Sequence, residues 1–567
     1  MKTPITGRNP IFKSLNRVKI LIVLALITWI AHFWHSASFG LYEDDYARLP
    51  KAMGMTGSEL IDYTWSLFVH FGRLTEGRPL HPGLIYLFSF FGEKLGGLNG
   101  VYLLGYLLVT VNGFLFYTLL KRVSKDQVFV ITGAIGFALF PVYLTRVWLT
   151  SSLGHQPSLT FVLLALICYV SGKKKLSYLV ILGSLLCYET VFPIFLAAPL
   201  FNQKWDRKLL RELLTHTLML GALVGLIVIT RKLTGENRVA NLDFWEIILL
   251  AIKNMLLGPV MSILMFFSHS LEPLQKLNGE LGILMLIGFG VILWGMWDLK
   301  QKKMPHSWQE LAQLTTIGFI MLILGYSLAL TVPVNLFHGG ESRVHLGAVV
   351  GASILCGCLG SALWNLAIAY RQKRLATVSL AAFFALLIGF GIVVQQDYKL
   401  MWQYQQAFWQ DVINLAPDMN EGTLILVDGL EHFKRPKNVS QENWTGTFVL
   451  KKMYRWPTDW NFPPSLYKLL PNWQEQVVFK ENSLQLKELN TVGKKSERER
   501  EFEIANIIFL QTENGALTRR SEPLRIEDRE LNFKEKLTSG LPPFEKGFLY
   551  DYLIQAANSQ PISYINN

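Results

Sequence analysis

Long apolar runs are the feature that most constrains the fold of this 567-residue chain. A helix needs about 20 apolar residues to cross the hydrocarbon core of a bilayer. Apolar runs lie at 20–34, 98–120, 127–148, 157–171, 176–202, 213–230, 281–297, 308–333, 345–370 and 376–395. Charged residues form 17% of the chain, whereas soluble domains carry about 25%. The sequence therefore predicts an α-helical polytopic membrane protein.

Two apolar stretches contain residues that disfavour a simple spanning helix. The run 176–202 holds Glu189 near its middle. A lone carboxylate at mid-bilayer is costly, so we expect two short helices that turn at Glu189. The stretch 244–267 is long enough to span but contains Gly258-Pro259, which favours a re-entrant or interfacial hairpin. This interpretation gives about eleven transmembrane helices.

Basic residues lie in compact clusters between the apolar runs. They are Lys121-Arg122, Lys173-Lys174-Lys175, Lys204 with Arg207-Lys208, Lys302-Lys303, and Arg371 with Lys373-Arg374. With the predicted spans, all of these clusters fall on the side of the N-terminus, which is the pattern of cytoplasmic loops. The loops 36–97, 231–280 and 334–344 are then expected on the outer side. The same bias explains the net charge of +12, and no basic stripe with interleaved aromatic residues indicates a nucleic-acid partner.

The chain changes character after Val394. Residues 396–567 are polar and mixed, with apolar stretches at 422–430, 476–479 and 504–510 that are typical of short buried strands. We therefore expect a transmembrane domain at 1–395 and a small extracytoplasmic α/β domain at 396–567. All four cysteines lie in apolar segments, so no disulfide framework or zinc site is indicated. The absence of outward cysteines favours a bacterial inner membrane over an endoplasmic reticulum.

An acidic sequence, Glu43-Asp44-Asp45, follows the first apolar run in the loop 36–97. Asp44 or Asp45 could act as a general base that deprotonates an acceptor hydroxyl. The carboxylates could instead ligate a hard divalent cation, the one cofactor that the sequence suggests. A solvated acidic loop without catalytic function is the alternative interpretation.

Two arginines in outward segments are candidates for binding phosphate. Arg78 lies between Gly77 and Pro79 on a stiff turn, and arginine offers paired donors that match phosphate oxygens. Arg343 lies at the start of a late apolar run, where it could bind a lipid-linked phosphate at the membrane surface. The alternatives are an interfacial Arg78 that contacts anionic head groups and an Arg343 that pairs with Glu341. His338 is a further candidate for substrate binding, although surface or packed histidines are commoner.

Three more residues complete the candidate substrate-binding set. Glu189 is an ionisable group in an otherwise apolar stretch, and such groups usually face a cavity or a partner. The alternative is a structural ion pair of Glu189 with Arg146 or Arg78. His155 lies in the second outward loop, and Glu43 precedes the two candidate catalytic acids.

The chain resembles the GT-C superfamily of membrane glycosyltransferases, which includes protein O-mannosyltransferases, aminoarabinose transferases and oligosaccharyltransferase catalytic subunits. The resemblance covers most of residues 1–395 as architecture and few residues as sequence. It rests on a first helix before an outward loop with Asp44-Asp45-Tyr46, the Gly-Arg-Pro-Leu turn at Gly77 to Leu80, the paired short helices at Glu189, the late Arg343, and the C-terminal outward domain. Many members have Asp-Glu where this chain has Asp44-Asp45, so which acid is the base stays open.

The resemblance implies a GT-C-like fold and an inverting transfer of a sugar from a polyprenyl-phosphate donor to an acceptor on the outer face of the membrane. It also implies that Asp44 or Asp45 is the base or metal ligand and that arginines stabilise the leaving lipid phosphate. The acceptor could be a glycan, a lipid or a protein, because residues 396–567 look like no module of the family. A transporter or flippase, and a non-catalytic protein of cell-envelope assembly, are the alternative functions.

Overall fold

The computed structural model describes residues 10–70, 75, 77–201, 205–233, 244–297, 299, 308–330, 334–335, 339–429, 436–439, 446–469, 477–480, 482–486, 501–513, 516–526, 529–535 and 542–554. The chain divides into two compact units. The first comprises Met1–Ala37 and Met55–Gln396, and the second comprises Ser38–Gly54 and Asp397–Asn567. The sequence suggested one domain over 1–395, whereas the structure groups the segment Ser38–Gly54 with the C-terminal residues.

Helices form most of the first unit. The helices up to residue 415 are α1 (Pro10–Thr28), α2 (Asp45–Met53), α3 (Gly57–Val69), α4 (Leu80–Val123), α5 (Gln127–Ala138), α6 (Leu149–Gly154), α7 (Gln156–Val170), α8 (Lys174–Cys187), α9 (Arg207–Leu233), α10 (Phe244–Gln275), α11 (Gly279–Met296), α12 (Trp308–Leu324), α13 (Ala348–Ala369) and α14 (Lys373–Leu415). A π-helix (Trp29–Phe33) continues α1. The 3-10 helix Glu189–Phe201 follows α8, and the 3-10 helix Gly339–Gly347 precedes α13.

Eight helical segments in the described part of the chain are long and apolar enough to cross a membrane. They are Arg17–Ser38, Leu80–Val123, Leu149–Val170, Arg207–Leu233, Trp245–Gln275, Gly279–Met296, Gly339–Ala369 and Lys373–Leu415. Three shorter apolar helices are Gln127–Ala138, Glu189–Phe201 and Trp308–Leu324. The chain is thus a multi-pass helical membrane protein, but the predicted count of about eleven spans is not confirmed.

The prediction of a hairpin at 244–267 is wrong. α10 runs through Gly258-Pro259 as one helix of 32 residues. One turn before this pair, Asn254 donates a hydrogen bond to the Ala329 carbonyl, and one turn after it, Ser262 bonds to the Tyr326 hydroxyl. These bonds tie both sides of the proline to the same neighbouring segment, and packed neighbours are what allow proline inside membrane helices.

Much of the predicted outward loop 36–97 is helical. It contains α2, α3 and the first part of α4. α3 starts with a capping box, in which the Thr56 hydroxyl accepts from the Glu59 N–H and the Glu59 carboxylate accepts from the Thr56 N–H. α4 breaks at Gly96-Gly97, where Gly97 has a φ of 62°, a conformation that favours glycine. The predicted span at 98–120 corresponds to the part of α4 after this break.

The predicted turn at Glu189 is confirmed. α8 ends at Cys187, Tyr188 is extended, and the 3-10 helix begins at Glu189. Pro193 and Pro199 lie inside this second helix. Proline lacks a backbone N–H and its ring clashes with the carbonyl four residues earlier, which disfavours a regular α-helix after the turn.

Small residues allow close helix packing in the core of the first unit. Between α5 and α13, a Cβ added to Gly133 would lie 3.2 Å from the Ser353 carbonyl oxygen. A Cβ on Gly357 would lie 2.8 Å from the carbonyl oxygen of Phe129. Helices in membranes associate through such close van der Waals contact, because lipid tails are as apolar as the side chains they surround.

The second unit contains a mixed sheet. Its strands are β1 (Leu424–Asp428), β2 (Tyr454–Arg455), β3 (Ser465–Lys468), β4 (Val477–Phe479), β5 (Ser483–Leu486), β6 (Glu501–Glu503), β7 (Ile507–Glu513), β8 (Ala516–Arg519), β9 (Leu524–Ile526), β10 (Arg529–Leu531) and β11 (Glu545–Lys546), and its short helices are α15 (Thr447–Met453) and α16 (Tyr550–Leu553). The main sheet has the order β3-β1-β7-β8, with β3, β1 and β7 parallel and β8 antiparallel to β7. The three predicted strands at 422–430, 476–479 and 504–510 correspond to β1, β4 and β7.

Candidate functional site

The candidate residues are divided between the two units. The acids of the first loop belong to the second unit: Glu43, Asp44 and Asp45. The other described candidates belong to the first unit: Arg78, His155, Glu189 and Arg343. His338, which was also predicted to bind substrate, lies outside the described residues.

Asp45 opens α2 and is fully buried. Its Oδ2 accepts a hydrogen bond of 3.1 Å from the Tyr42 N–H, and its own N–H donates to the Tyr42 carbonyl at 2.9 Å. These reciprocal bonds close the turn that leads into α2, and a carboxylate is favourable at a helix N-terminus. The Asp45 side chain is therefore engaged in folding its own segment.

Glu43 and Asp44 form the rest of this turn. Glu43 has a φ of 46°, in the left-handed region, and its side chain is buried. Strained conformations of this kind cost on the order of 1–3 kcal/mol and persist where the surroundings impose them. Asp44 is only partly buried, which makes it the most exposed of the three carboxylates. Asp44 is thus the acid that a substrate could reach most easily.

Contacts within the second unit fix the backbone around these acids. The Tyr42 hydroxyl donates to the Tyr398 carbonyl at 2.9 Å. Lys452 Nζ donates to the carbonyls of Tyr46 and Ala47 at 2.6 and 2.9 Å. Burial, assisted by the nearby charge of Lys51, lowers the pKa of Lys452 from 10.5 to about 8. The acidic segment is therefore held by bonds to residues far away in the sequence.

A divalent cation at Asp44 and Asp45 stays a prediction from the sequence. The described ranges contain no group of three or more His, Cys, Asp or Glu side chains that could hold a metal ion. Magnesium can bind through one or two carboxylates and water, so such a group is not required. One Asp45 oxygen already accepts the Tyr42 N–H, which leaves Asp44 as the more available ligand.

Three chain segments of the first unit bring two arginines to one carboxylate. We call Arg78, Glu189 and Arg231 the Glu189 cluster. Arg78 lies on the turn before α4, Glu189 starts the 3-10 helix, and Arg231 lies in the last turn of α9. Gly77 makes this arrangement possible: its φ is 75°, and a Cβ there would lie 2.4 Å from Cγ of Arg231.

The Glu189 cluster combines a bidentate ion pair with a second guanidinium. Arg78 Nε donates to Glu189 Oε2 at 2.8 Å, and Arg78 Nη2 bonds to Oε1. Arg231 Nη2 lies 3.4 Å from the same Oε2 and also donates to the Leu185 carbonyl at 3.2 Å. The three side chains retain 14–21% exposure. Together they carry a charge of +1, and part of each side chain stays accessible.

Two histidines and a tyrosine lie beside the Glu189 cluster. We call His81, His155 and Tyr188 the imidazole stack. The His81 and His155 rings are stacked with centroids 4.8 Å apart, and the His155 and Tyr188 rings are 4.3 Å apart. The Arg78 guanidinium lies 5.3 Å from the Tyr188 ring, which joins the stack to the cluster. His155 Nδ1 is within hydrogen-bond distance of Ser151 Oγ, at 3.0 Å.

Arg343 makes a cation–π contact in the first unit. Its guanidinium lies 5.9 Å from the ring centre of Trp148, which is buried. Trp148 directly precedes α6, and His155 directly follows that helix. The predicted alternative, an ion pair of Arg343 with Glu341, does not occur, and no other ion pair of Arg343 is present among the described residues.

The structure brings Arg78, His155 and Glu189 together and adds residues that the sequence did not single out. Of the two ion-pair partners suggested for Glu189, the structure shows Arg78. His81 was missed although it follows Arg78 by three residues, a spacing that places both near one face of a helix start. Arg231 carries no comparable signal, because the contact with Glu189 spans 42 positions in the sequence.

The cluster and the stack suit recognition of an oxyanion. Guanidinium groups bind phosphate through paired charged hydrogen bonds, and imidazoles can donate or accept depending on their tautomer. Glu189 holds the Arg78 guanidinium in a fixed orientation through two bonds. A preoriented donor loses less entropy when it binds a ligand.

No protein-family model matches the chain, and no curated protein matches it. The resemblance to GT-C enzymes therefore rests only on the chain's own residues and architecture.

Proposed function

We propose that this chain is a membrane glycosyltransferase of the GT-C type, which moves a sugar from a polyprenyl-phosphate donor to an acceptor. The Glu189 cluster carries the proposal. Two partly exposed guanidinium groups and two buried imidazoles lie within a unit made of apolar helices. Ionisable groups are costly in such surroundings and usually mark a functional site. Positive groups of this kind suit the phosphate of a lipid-linked donor.

The chemistry needs one base and a stabilised leaving group. We assign the base to Asp44, which takes the proton of the acceptor hydroxyl. The acceptor oxygen bonds to the anomeric carbon from the face opposite the phosphate, and the carbon–oxygen bond to the phosphate breaks. The lipid phosphate leaves with the electron pair as a stable anion, so no general acid is required. Arg78 and Arg231 stabilise its charge, and the reaction inverts the anomeric centre.

The proposal includes an orientation and a compartment. The basic clusters Lys121-Arg122 and Lys173-Lys174-Lys175, which precede the segments at Glu189 and α10, favour a cytoplasmic N-terminus. An outward second unit is part of the proposal, and with a crossing α10 it requires the pair of helices at Glu189 to cross the membrane once. The distribution of cysteines favours a bacterial inner membrane. The acceptor would then be a glycan, a lipid or a protein on the outer face of that membrane.

A transporter or flippase for an anionic lipid is the second candidate function. The same Glu189 cluster favours it, because ion pairs between membrane helices also line transport pathways. The two functions differ in the fate of the donor. A transferase breaks the bond between sugar and phosphate, whereas a flippase moves the lipid intact.

Donor binding by the full chain in nanodiscs tests the role of the cluster. The probes are radiolabelled polyprenyl-phosphate sugars with different sugars. Arg231→Gln removes one guanidinium and keeps the bidentate Arg78–Glu189 pair. We expect it to weaken donor binding about 10- to 100-fold, the effect of losing a charged hydrogen bond to phosphate.

Lys174→Gln is the matched control, because Lys174 is paired with Glu212 on an exposed part of the same unit. It should leave donor affinity unchanged. A thermal unfolding curve of each variant separates loss of fold from loss of binding. Donor affinity that is equal in wild type and Arg231→Gln, with the fold intact in both, would mean that the cluster is only structural.

A further inference from the structure

Apolar side chains line one exposed face of α3. Ile61 and Trp65 are 69% and 70% exposed, and Phe68 is also exposed. These three residues are four and three positions apart, so their side chains lie on one face of the helix. We call them the α3 stripe. Contiguous apolar side chains on a protein surface usually mark a site that contacts a protein, a ligand or a membrane.

The α3 stripe is separate from the face of α3 that packs on α4. Leu67 is buried, and the rings of Tyr63 and Tyr86 have centroids 4.6 Å apart. Successive residues of a helix are about 100° apart, which places Asp62 and Glu59 on a third face. Both acids are exposed. One side of α3 is therefore packed, one is apolar and open, and one is acidic.

The part of α4 before Gly96 carries a similar stripe. Leu87, Phe91 and Leu95 are spaced by four residues, so they lie on one face of the helix. All three are exposed, and Leu95 is 66% exposed. We call them the α4 stripe. The two helices thus each present a packed face and an open apolar face.

The contacts between α3 and α4 place both stripes on the same side of the pair. Tyr63 contacts Tyr86, and a Cβ added to Gly83 would lie 3.9 Å from Cγ2 of Thr64. The contact moves toward the start of α4 as α3 advances, which is the order of an antiparallel pair. On each helix the stripe lies roughly 110–120° from the contact in the same rotational sense. Because the helices run in opposite directions, the two stripes face the same side.

α4 connects this pair to a surface that lipid covers. After Gly97 the helix continues as an apolar segment long enough to cross a membrane, and Leu103, Leu107 and Val111 on this segment are exposed. Exposed apolar residues on a spanning helix face the acyl chains of the lipids. The open apolar surface of the pair is therefore continuous, along one helix, with a lipid-facing surface.

The length and composition of α3 fit a position along the membrane surface. Its 13 residues give a length of about 20 Å, less than the roughly 30 Å of the hydrocarbon core. Tryptophan and phenylalanine are favoured at the boundary between head groups and acyl chains. A helix in this position keeps its acidic face in water.

We propose that α3 and the part of α4 before Gly96 lie in the interface of the bilayer, with the α3 stripe and the α4 stripe among the lipids. The inference does not rest on the sugar transfer proposed above. Arg78 lies on the turn directly before α4, so the helix pair holds the Glu189 cluster close to the depth of lipid phosphates. A lipid-linked phosphate then reaches the cluster without leaving the bilayer.

Spin labels on single cysteines in liposomes test this position. After replacement of the four native cysteines, labels are attached to Ile61→Cys, Trp65→Cys and Phe68→Cys. Asp62→Cys, on the acidic face, is the matched control. Oxygen concentrates in lipid and a water-soluble nickel chelate in water, so the ratio of their collision rates with a label reports its surroundings. We expect this ratio to be several-fold higher at the three stripe positions than at position 62.

Phe91→Cys tests the α4 stripe independently and should give the same high ratio. All of these positions are exposed, so the thermal unfolding midpoint of each variant should stay close to that of the unlabelled chain. Nickel collision rates at the stripes equal to the rate at position 62 would place the stripes in water. Low collision rates with both reagents would mean that protein covers them. Spin–spin broadening at position 65 that disappears on dilution with unlabelled chain would identify a second copy as the cover. Each of these three results would overturn the proposal.

Discussion

Asp44 and Asp45 are neighbours in the sequence, but their side chains have different surroundings. Asp45 is fully buried and accepts a backbone hydrogen bond, whereas Asp44 is partly exposed. A base must reach the proton that it removes, so exposure favours Asp44. The sequence indicated the acidic pair but could not separate its members. The difference in burial between the two acids depends on the turn at Glu43. Glu43 has a left-handed backbone conformation, which no sequence rule predicts for glutamate.

Separate replacement of the two acids should have separate effects on stability. Asp45→Asn keeps one acceptor oxygen but adds a buried NH₂ group in place of the other, so we expect a loss of about 1–3 kcal/mol. Asp44→Asn should change stability by less than about 0.5 kcal/mol. Unfolding of each purified variant by denaturant gives both values. Equal destabilisation by the two substitutions would show that Asp44 is also structural.

Lys452 should make stability depend on pH in the alkaline range. Its pKa is about 8 in the folded protein, because burial disfavours the charged form, and 10.5 is its ordinary value. Below pH 8 both states hold the proton. Between about pH 8 and 10.5 the folded state releases it first, so the unfolded state binds more protons and stability rises with pH.

The comparison of wild type with Lys452→Met isolates this effect from other titrating groups. The free energy of unfolding should rise less steeply with pH between about 8 and 10.5 in the variant than in the wild type. The variant also loses two hydrogen bonds, to the carbonyls of Tyr46 and Ala47, so the slopes are compared and not the absolute stabilities. Unfolding midpoints measured across this range give the slopes. Identical slopes would contradict the depressed pKa.

At the scale of elements, apolar runs predicted most helices, and one proline misled the prediction. The turn at Glu189 was predictable because a carboxylate is costly inside an apolar helix. The continuity of α10 through Pro259 was not, because it depends on Asn254 and Ser262, which bond to a segment more than 60 residues later. Such distant partners leave no periodic pattern in the sequence.

The continuous α10 predicts that its two ends lie on opposite sides of the membrane. Its 32 residues give a length of about 48 Å, more than the hydrocarbon core requires. Single cysteines at the exposed positions Leu233 and Leu277, introduced after replacement of the four native cysteines, can be labelled with an impermeant maleimide. We expect the two sites to react from opposite sides.

Labelling of both positions from the same side would show that α10 does not cross the membrane. A crossing α10 adds one span to the predicted topology, which moves Arg371 to the side of the membrane opposite to the predicted one. Arg371 keeps its predicted side only if the two helices that meet at Glu189 together cross the membrane once. The side from which a third cysteine, at position 371, is labelled therefore shows whether that pair of helices crosses the membrane once or twice. The cytoplasmic N-terminus stays a prediction until these positions are known.

At the scale of the whole molecule, the sequence predicted a helical membrane part followed by an α/β part. It did not predict that Ser38–Gly54 belongs to the second unit. The bonds that fix this segment, Tyr42 to Tyr398 and Tyr46 to Gln405, join residues more than 350 positions apart. Pairings of this range depend on the complete fold, so local pattern and composition cannot show them.

The candidate site was predictable to a similar degree. An ionisable residue in an apolar stretch indicated Glu189, because such residues are costly unless they have a function or a partner. The stiff turn Gly77-Arg78-Pro79 indicated Arg78, and a position at the start of a late apolar run indicated Arg343. The sequence could not show that Arg231 completes the Glu189 cluster, or that Arg343 lies over Trp148. The functional proposal thus depends on chemistry assembled by the fold.

Turnover of the donor tests the central claim most directly. Full-length protein in nanodiscs would receive radiolabelled polyprenyl-phosphate sugars and extracted envelope glycans and lipids as acceptors, with and without EDTA. We expect the wild type to release free polyprenyl phosphate for at least one donor and Asp44→Asn to lose this activity with its fold intact. Full turnover in Asp44→Asn would contradict the assignment of Asp44 as the base, and intact donor moved across the bilayer without cleavage would contradict the assignment as a glycosyltransferase.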